Sequence, residues 1–266
     1  MTTYDFADKT VVITGASTGI GAVFSRELGR RGSKLVLVAR SRDKLAAVAR
    51  EVGGAVVVVE DLATPGAARR VRDAVTAAGL EADVLVNNAG FAAFGPFTDV
   101  ALTTQREEID LNVAALVELT HTFLPMLERR RGGVIHVAST AAFQPVPFMA
   151  VYGATKAFVL SFSEALWAEY RTRGVRVVAL CPGATDTPFF DRAGAAAAFG
   201  PKARREDVVR LGLEAFQANR ASVVHGAGNR VTTRLSRFAT REFTAKLTAR
   251  LMRPRAATAT AHLSTS

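Results

Sequence analysis

Cysteine, long apolar runs and clustered histidines are scarce in this sequence, and each scarcity excludes a class of protein. The single cysteine, Cys181, excludes an internal disulfide framework and favours a reducing, cytoplasmic compartment. No uninterrupted apolar stretch of about 18 residues occurs, so no membrane-spanning helix is predicted. The four histidines lack metal-ligand spacing to cysteines or carboxylates, so no metal site is predicted.

Acidic residues are also few, and their shortage is confined to one end of the chain. The sequence has 24 Asp and Glu against 34 Lys and Arg, which gives a net charge of +10. Residues 230–255 contain eight of the basic residues and one acid, Glu242. Because the rest of the chain is nearly balanced, no nucleic-acid partner is predicted, whereas the basic end predicts an anionic surface or an acidic partner.

The chain is rich in short apolar strands that alternate with helices. Strands are predicted over 10–14, 34–39, 55–60, 83–87, 134–138, 175–180 and 222–225. Helices are predicted over 20–31, 42–52, 66–78, 104–130, 149–170 and 204–218. This alternation predicts an α/β fold with a parallel sheet covered on both faces. We expect one domain over 1–228, followed by a basic, amphipathic helical tail over 229–266.

A glycine-rich segment lies between the first strand and its helix. Glycine lets the backbone turn tightly and approach a pyrophosphate, and the following helix N-terminus offers N–H groups and the positive end of its dipole. At the first strand-to-helix turn of an alternating chain, this pattern predicts a dinucleotide site. The candidate residues are Gly15, Ser17, Thr18, Gly19, Ile20 and Gly21.

The residues after the second strand indicate which dinucleotide binds. An acidic residue there would accept hydrogen bonds from a ribose 2′-hydroxyl and repel a 2′-phosphate. This chain instead has Arg40, with Arg42 and Lys44 beyond it. A guanidinium pairs with a phosphate through its planar fork, so the pattern favours NADP(H) over NAD(H). The alternative is that these cations belong to a solvated helix start.

Small and polar residues follow other strands at their C-terminal ends, where open parallel sheets bind ligands. An acceptor after strand three could meet an adenine amino group, and small residues after strand four let a cofactor lie against the backbone. The candidates are Asp61 and Leu62 after strand three, Asn88, Ala89 and Gly90 after strand four, Ser139 after strand five, and Asn112 in the long helix. Each alone is explained as a turn or cap, but together they predict one site.

Tyr152 and Lys156 are four residues apart in a predicted helix, so their side chains share one face. A phenol titrates near pH ~10 and alone is a poor acid-base catalyst at neutral pH. A neighbouring ammonium favours the phenolate and lowers that pKa. The pair therefore predicts a proton-transfer site. The alternative is a tyrosine that packs over a solvated lysine.

These motifs together resemble the short-chain dehydrogenases/reductases. The resemblance extends over residues ~8 to ~225 and rests on TGASTGIG, NNAG, Asn112, Ser139, the Tyr152/Lys156 pair and Pro182-Gly183. It implies a single-domain Rossmann fold, that is, a doubly wound parallel sheet, with a Tyr-Lys-Ser-Asn tetrad. It also implies a homo-oligomer, although this chain lacks the Asp-Gly-Gly turn common near the family's C-terminus. Its basic ending is similar to that of a bacterial subgroup with helical basic tails.

The resemblance implies a role for each member of the tetrad. Tyr152 would be the general acid in ketone reduction and the general base in alcohol oxidation, and Lys156 would lower its pKa and hold the nicotinamide ribose. Ser139 would hydrogen-bond the substrate oxygen, and Asn112 would anchor a water in a proton relay. The residues implied along the nicotinamide end are Pro182, Gly183, Thr185 and Thr187.

The basic tail has two faces when drawn as a helix. Its apolar face has Val231, Leu235, Phe238 and Ala239, and its opposite face has Arg230, Arg234, Arg237 and Arg241. The apolar face shifts after about Thr244, which predicts a bend or a second helix. One interpretation is an interfacial helix on anionic lipid, which would place the protein at the inner face of a membrane. The other is a helix packed on the same or a partner subunit.

Three segments rich in phenylalanine are expected to border the mouth of the site. They contain Phe91, Phe94 and Phe97; Phe143, Pro145, Pro147 and Phe148; and Phe189, Phe190 and Phe199. Apolar walls favour a lipophilic small-molecule carbonyl or alcohol, unless these residues only pack the core. The sequence therefore predicts an NADP(H)-dependent oxidoreductase. The alternatives are an NAD-dependent alcohol dehydrogenase, a non-catalytic dinucleotide sensor and a membrane-surface scaffold, of which the last leaves the tetrad unexplained.

Overall fold

Seven parallel strands form a single sheet in the computed structural model, which describes residues 4–190, 201–235 and 238–253. The strands are β1 (Thr10–Thr14), β2 (Lys34–Ala39), β3 (Val56–Val59), β4 (Val84–Asn87), β5 (Gly133–Val137), β6 (Arg176–Cys181) and β7 (Ser222–Val224). Their spatial order is β3-β2-β1-β4-β5-β6-β7. The sequence predicted every strand to within one residue at each end, and the Rossmann-type parallel sheet is confirmed.

Helices cover both faces of this sheet. They are α1 (Gly19–Arg30), α2 (Arg42–Glu51), α3 (Ala67–Ala77), α4 (Leu102–Ile109), α5 (Ala115–Arg129), α6 (Ala150–Tyr170), α7 (Arg205–Gln217), α8 (Ala227–Leu235) and α9 (Arg241–Met252). One apolar layer contains Phe24 of α1 and Phe216 of α7, and the opposite layer contains Val71 of α3 and Phe123 of α5. Because β-branched strand residues are buried between these layers, the carboxyl ends of the strands are left to form a site.

The long helical stretch predicted over 104–130 is present, but it is not α-helical throughout. The chain forms α4, then a π-helical turn at Asp110–Ala114, then α5. A π turn places an extra residue in a helix and is frequent at functional sites. Here the turn carries Asn112, whose side chain bonds the main chain of Phe91 instead of facing a helical neighbour.

The tail forms two helices, as one of the sequence interpretations anticipated, but the break comes before Thr244. Helix α8 ends at Leu235 and α9 begins at Arg241. The hydroxyl of Thr240 accepts a hydrogen bond from the main-chain N–H of Phe243, which caps the start of α9. The predicted features at Phe199, at Arg237 and beyond residue 253 lie outside the described residues. Within the described ranges, no helix is both long enough and apolar enough to cross a bilayer.

Candidate active site

A single large cleft follows the carboxyl ends of the strands and has a volume of about 1180 Å³. Ligand pockets usually occupy about 300–1,000 Å³, so this cleft has room for a dinucleotide and a second molecule. Its floor comes from the turns after β1, β4, β5 and β6. Most of the predicted site residues line it: Gly15, Ser17, Thr18, Gly19, Ile20, Arg40, Asp61, Leu62, Asn88, Ala89, Gly90, Ser139, Tyr152, Lys156, Pro182, Gly183, Thr185 and Thr187.

The loop after β1 requires glycine for its backbone and for its close contacts. Gly15 and Gly19 have φ of +63° and +58°, a region that strains residues with a side chain. A Cβ on Gly15 would lie 2.8 Å from the amide nitrogen of Asn88, and one on Gly21 would lie 2.3 Å from the carbonyl oxygen of Gly15. Gly21 therefore supports the loop from beneath rather than lining the cleft. The loop leads into the N-terminus of α1, so these residues fit a dinucleotide phosphate.

Thr14 organises the turn after β4, and the sequence analysis gave it no role beyond the motif. Its hydroxyl accepts hydrogen bonds from the main-chain N–H groups of Asn88 and Ala89, each at 3.0 Å, and donates to Val86. The amide of Asn88 returns a bond of 2.9 Å to the Thr14 carbonyl. The two turns therefore hold each other at the centre of the cleft. A threonine at the last position of a buried strand was the available signal.

Among the described residues that line the cleft, all the charged side chains except Lys156 lie at the end formed by β2 and β3. Arg40 and Asp61 are both substantially exposed, and their closest charged atoms are 3.9 Å apart. Glu60 is held by Arg70 through two hydrogen bonds of 2.9 Å, which lower the pKa of the Glu60 carboxyl. Lys44 lines the same end. With Glu60 engaged elsewhere, Arg40 and Lys44 form a cationic end of the cleft.

Tyr152, Lys156 and Ser139 meet at the floor of the cleft. The ammonium of Lys156 lies 5.7 Å from the centre of the Tyr152 ring and donates a 2.8 Å hydrogen bond to the carbonyl of Val137. The hydroxyl of Ser139 accepts from the main-chain N–H of Ala141, and Ser139 acts to lower the pKa of the Tyr152 phenol. Tyr152 and Lys156 are both buried in α6, one turn apart. The predicted convergence of these side chains is therefore present in the structure.

The electrostatics of the pair differ from the sequence expectation. Burial raises the pKa of Tyr152 to about 12, a hydrogen bond with Ser139 acts in the opposite direction, and the carboxylate of Glu108 adds to the rise. Burial lowers the pKa of Lys156 to about 8, against the effects of Cys181 and Glu108. The prediction that Lys156 brings the phenol below its usual pKa is wrong for the protein chain. Desolvation of the phenolate has the largest effect on the pKa of Tyr152, and the hydrogen bond with Ser139 is the effect that lowers it.

Asn112 lies behind the cleft wall and does not line it. Its amide oxygen accepts from the N–H of Phe91 at 3.1 Å, and its amide nitrogen donates to the Phe91 carbonyl and to the hydroxyl of Thr155. A Cβ on Gly90 would lie 2.8 Å from the Asn112 amide oxygen, so the contact needs glycine there. The Asn112 side chain thus ties the turn after β4 to α6, with one amide bond to each.

The end of the cleft farthest from β2 and β3 is apolar, and residues of α8 and α9 complete its lining. Of the predicted aromatic residues, Phe91, Phe189 and Phe190 line it. Phe94 packs beside it in the apolar cluster that contains Tyr152. The other described members of the three segments do not line it: Phe97, Phe143, Pro145, Pro147 and Phe148. The sequence analysis gave packing on the same subunit as one interpretation of the tail, but it did not predict that the tail would line the cleft.

Comparison with known proteins gives the same picture of the fold. The model of the family described as short chain dehydrogenase matches residues 9–197. The very-long-chain 3-oxoacyl-CoA reductase of Bos taurus is 37% identical over 179 residues, which cover 64% of this chain and 57% of the relative. The chain thus matches little more than half the length of that relative.

Solved structures that resemble the chain carry either nicotinamide dinucleotide. A short-chain dehydrogenase from Sphingobium yanoikuyae in complex with NADPH has a TM-score of 0.76 and 33% identity, covering 86% of this chain and 94% of that one. A short chain dehydrogenase/reductase from Burkholderia phymatum in complex with NAD has a TM-score of 0.80 and 26% identity, covering 87% and 94%. A nicotinamide dinucleotide is therefore the cofactor class of these neighbours, without a decision between the two.

Proposed function

Because this chain belongs to the short-chain dehydrogenase family, we propose that it is an NADP(H)-dependent oxidoreductase that interconverts a carbonyl and an alcohol on an apolar substrate. The observation that carries the proposal is the meeting of Tyr152, Lys156 and Ser139 on the floor of a cleft large enough for two molecules. A non-catalytic sensor would not need a buried tyrosine-lysine pair, since burying an ammonium is costly.

A nicotinamide dinucleotide held in this cleft would supply a hydride to the carbonyl carbon. Tyr152 donates its phenolic proton to the carbonyl oxygen, so the C=O bond becomes an alcohol. With its pKa raised to about 12, Tyr152 is protonated at neutral pH, which is the state that reduction requires. Ser139 is placed to hydrogen-bond the same oxygen and stabilise its developing charge. Lys156 has three donors and uses one on Val137, so others remain to orient a ribose.

The preference for NADP(H) rests on Arg40, which directly follows β2, and on Lys44 in the first turn of α2. Their charge suits a 2′-phosphate, and the guanidinium can bind it through two N–H groups. The alternative cofactor, NAD(H), is favoured by one observation, since Asp61 lies 3.9 Å from Arg40 and competes for it. A phosphate with two negative charges would attract Arg40 more strongly than a single exposed carboxylate does.

The substrate class follows from the apolar end of the cleft. The lining residues there are mostly aliphatic or aromatic, and a ligand that buries them is favoured by about 25 cal/mol per Å² of apolar surface. The bovine relative is named for a keto group on an aliphatic acyl chain, which is a compatible chemistry. We therefore assign a lipophilic ketone, aldehyde or secondary alcohol.

The proposal extends to the surroundings of the enzyme. The outer face of α8 and α9 is basic and apolar, which supports peripheral contact with an anionic membrane. The buried thiol of Cys181 is compatible with the reducing, cytoplasmic compartment expected from the sequence. Assembly into a homo-oligomer stays a prediction from the family resemblance.

Replacement of the proposed acid tests the function. Tyr152→Phe keeps the ring and removes the proton, so NADPH-dependent reduction of an apolar ketone should fall by at least ~100-fold, the low end for lost acid-base catalysis. NADPH binding, measured by fluorescence titration, should persist. Tyr170→Phe is the control, because Tyr170 ends α6 outside the cleft. Wild-type turnover in Tyr152→Phe would remove Tyr152 as the proton donor.

A further inference from the structure

Helix α9 presents one continuous row of side chains to the cleft. The lining residues of this helix are Phe243, Thr244, Leu247, Thr248, Leu251 and Met252. From Thr244 onward they occupy positions i, i+3, i+4, i+7 and i+8, which is the spacing of a single helical stripe. The match to the family model ends at residue 197, so this wall is built from a part of the chain beyond it.

The row leads directly to the catalytic tyrosine. Met252 is 5% exposed and packs in one apolar cluster with Tyr152, Val146 and Met149. Leu251, by contrast, is 66% exposed although it also lines the cleft. From Thr244 to Met252 the helix rises about 12 Å. That is the length of an extended chain of about ten single bonds.

The side chains that α9 presents to the cleft favour contact with a hydrocarbon over contact with a polar or charged group. The hydroxyl of Thr244 donates to the Thr240 carbonyl at 3.1 Å, and that of Thr248 donates to the Thr244 carbonyl at 2.8 Å. Because each hydroxyl hydrogen is bonded within α9, neither threonine offers it to a ligand. No charged side chain lines this end of the cleft apart from Lys156, within the described residues. A carboxylate, phosphate or ammonium on the substrate would therefore have no partner beside α9.

We propose that α9 is one wall of a channel for a linear aliphatic chain, which extends from a reacting carbonyl at Tyr152 along the row from Met252 towards Thr244. The proposal rests on the proposed function, because it places the carbonyl at the catalytic tyrosine. It narrows the substrate class to ketones, aldehydes or alcohols that carry an unbranched chain of about ten bonds. Leu251 and Leu247 contact the chain along its length and are the residues that select for it.

A series of unbranched ketones of increasing length tests the channel. With the preferred cofactor, kcat/KM should rise about two- to fourfold for each added methylene, the upper factor corresponding to complete burial of a CH₂ group. The rise should level off at a chain of about ten bonds, where the wall ends. A compact polar ketone should be reduced poorly.

A matched pair of substitutions tests the wall itself. Leu251→Ser removes an apolar contact at an exposed position, so the fold should tolerate it. It should lower kcat/KM for the longest ketone about tenfold, mainly through KM, and leave the shortest within about twofold, as expected for lost burial of part of a leucine. Phe238→Ser is the control, because Phe238 is 88% exposed and does not line the cleft.

Two results would overturn the channel: kcat/KM that does not depend on chain length, or equal effects of Leu251→Ser and Phe238→Ser. Failure of the proposed function looks different. If the wild type reduces no carbonyl of any length with either cofactor, binding of long-chain and short-chain alcohols is measured by calorimetry. Length-dependent binding that Leu251→Ser weakens would support the channel without the activity. Binding that ignores length would remove both.

Discussion

At the scale of single residues, Arg40 is the side chain that distinguishes the two cofactors. Arg40→Asp exchanges a phosphate partner for a repulsive carboxylate. We expect NADPH affinity to fall by at least about tenfold, the factor for a lost hydrogen bond to a charged group, and NADH affinity to rise. Fluorescence titration with both cofactors measures the ratio. Arg42→Asp is the matched control, since Arg42 starts α2 but does not line the cleft.

One result would contradict the role of Arg40 in cofactor choice. If the ratio of NADPH affinity to NADH affinity is the same in wild type and in Arg40→Asp, then the guanidinium does not contact the 2′-phosphate. An equal shift in Arg42→Asp would indicate a general field effect of the two-unit change in charge rather than a direct contact.

Lys156 gives a second prediction at this scale, because folding lowers its pKa from an ordinary 10.5 to about 8. Between these values the unfolded chain binds the proton and the folded chain does not. Stability contributed by this group therefore rises with pH over that window. Relative to Lys156→Met, the wild type should gain up to about 1 kcal/mol in free energy of unfolding between pH 8 and 9.

Urea unfolding of both proteins at several pH values measures this difference. The comparison with Lys156→Met is needed because burial also raises the pKa of Cys181 and Tyr152, and their loss of stability begins at higher pH in both proteins. A gap between the two proteins that stays constant from pH 7 to 9 would contradict the buried, partly neutral lysine.

At the scale of elements, α8 and α9 present an outer face that differs from their inner one. Val231 on α8 and Phe238 between the two helices are more than half exposed and do not line the cleft, whereas Leu235 and Phe243, also more than half exposed, do line it. Basic side chains lie among them, and the single acid, Glu242, pairs with Lys246. Apolar side chains interleaved with cations are the pattern of a helix that lies at an anionic lipid surface.

We therefore expect the protein to sediment with vesicles that contain anionic lipid and to be released by salt. Each basic residue near such a surface contributes about 1 kcal/mol, and salt screens that attraction within a Debye length. Arg234→Glu should weaken binding, and Phe238→Ser should do so as well. Arg106→Glu, which makes the same charge change on exposed α4, is the control and should leave binding unchanged.

Vesicles of zwitterionic lipid complete the experiment. Equal sedimentation with neutral and anionic vesicles, or none with anionic vesicles at low salt, would contradict a charge-assisted contact. In that case the exposed side chains would fit better against a second protein surface. Truncation of the tail is a poor test here, because Met252 and Thr248 are buried against the cleft and their loss would expose the site.

At the scale of the whole molecule, the sequence predicts the strands and loops that form the floor of the cleft better than the side chains and helices that enclose it. The strands were predictable because buried parallel strands are continuous apolar runs, and the residues after them follow from the edge at which such strands end. The glycine loop was predictable because glycine adopts the backbone of Gly15 and Gly19 without strain and leaves the space that their close contacts require.

The rest depends on contacts that no local pattern contains. The π turn at Asn112 is stabilised by Phe91, 21 positions away, and the pKa of Tyr152 is set by burial that a helical wheel does not reveal. The amphipathic pattern of the tail predicted that an apolar face would be covered. The pattern could not show that this apolar face lines the cleft beside Tyr152, because the path of the chain after β7 determines where the tail packs.

That path separates substrate choice from chemistry along the chain. The proton donor, its lysine and the glycine loop all precede residue 157, whereas the wall proposed to select the substrate is α9, Arg241–Met252. Mutations in this stretch can reshape the wall without altering a hydrogen bond of the tyrosine or of the loop. Substitutions confined to α9 are therefore expected to change which substrates the cleft accepts without changing proton transfer. The same substitutions offer a route to redesign of the substrate range.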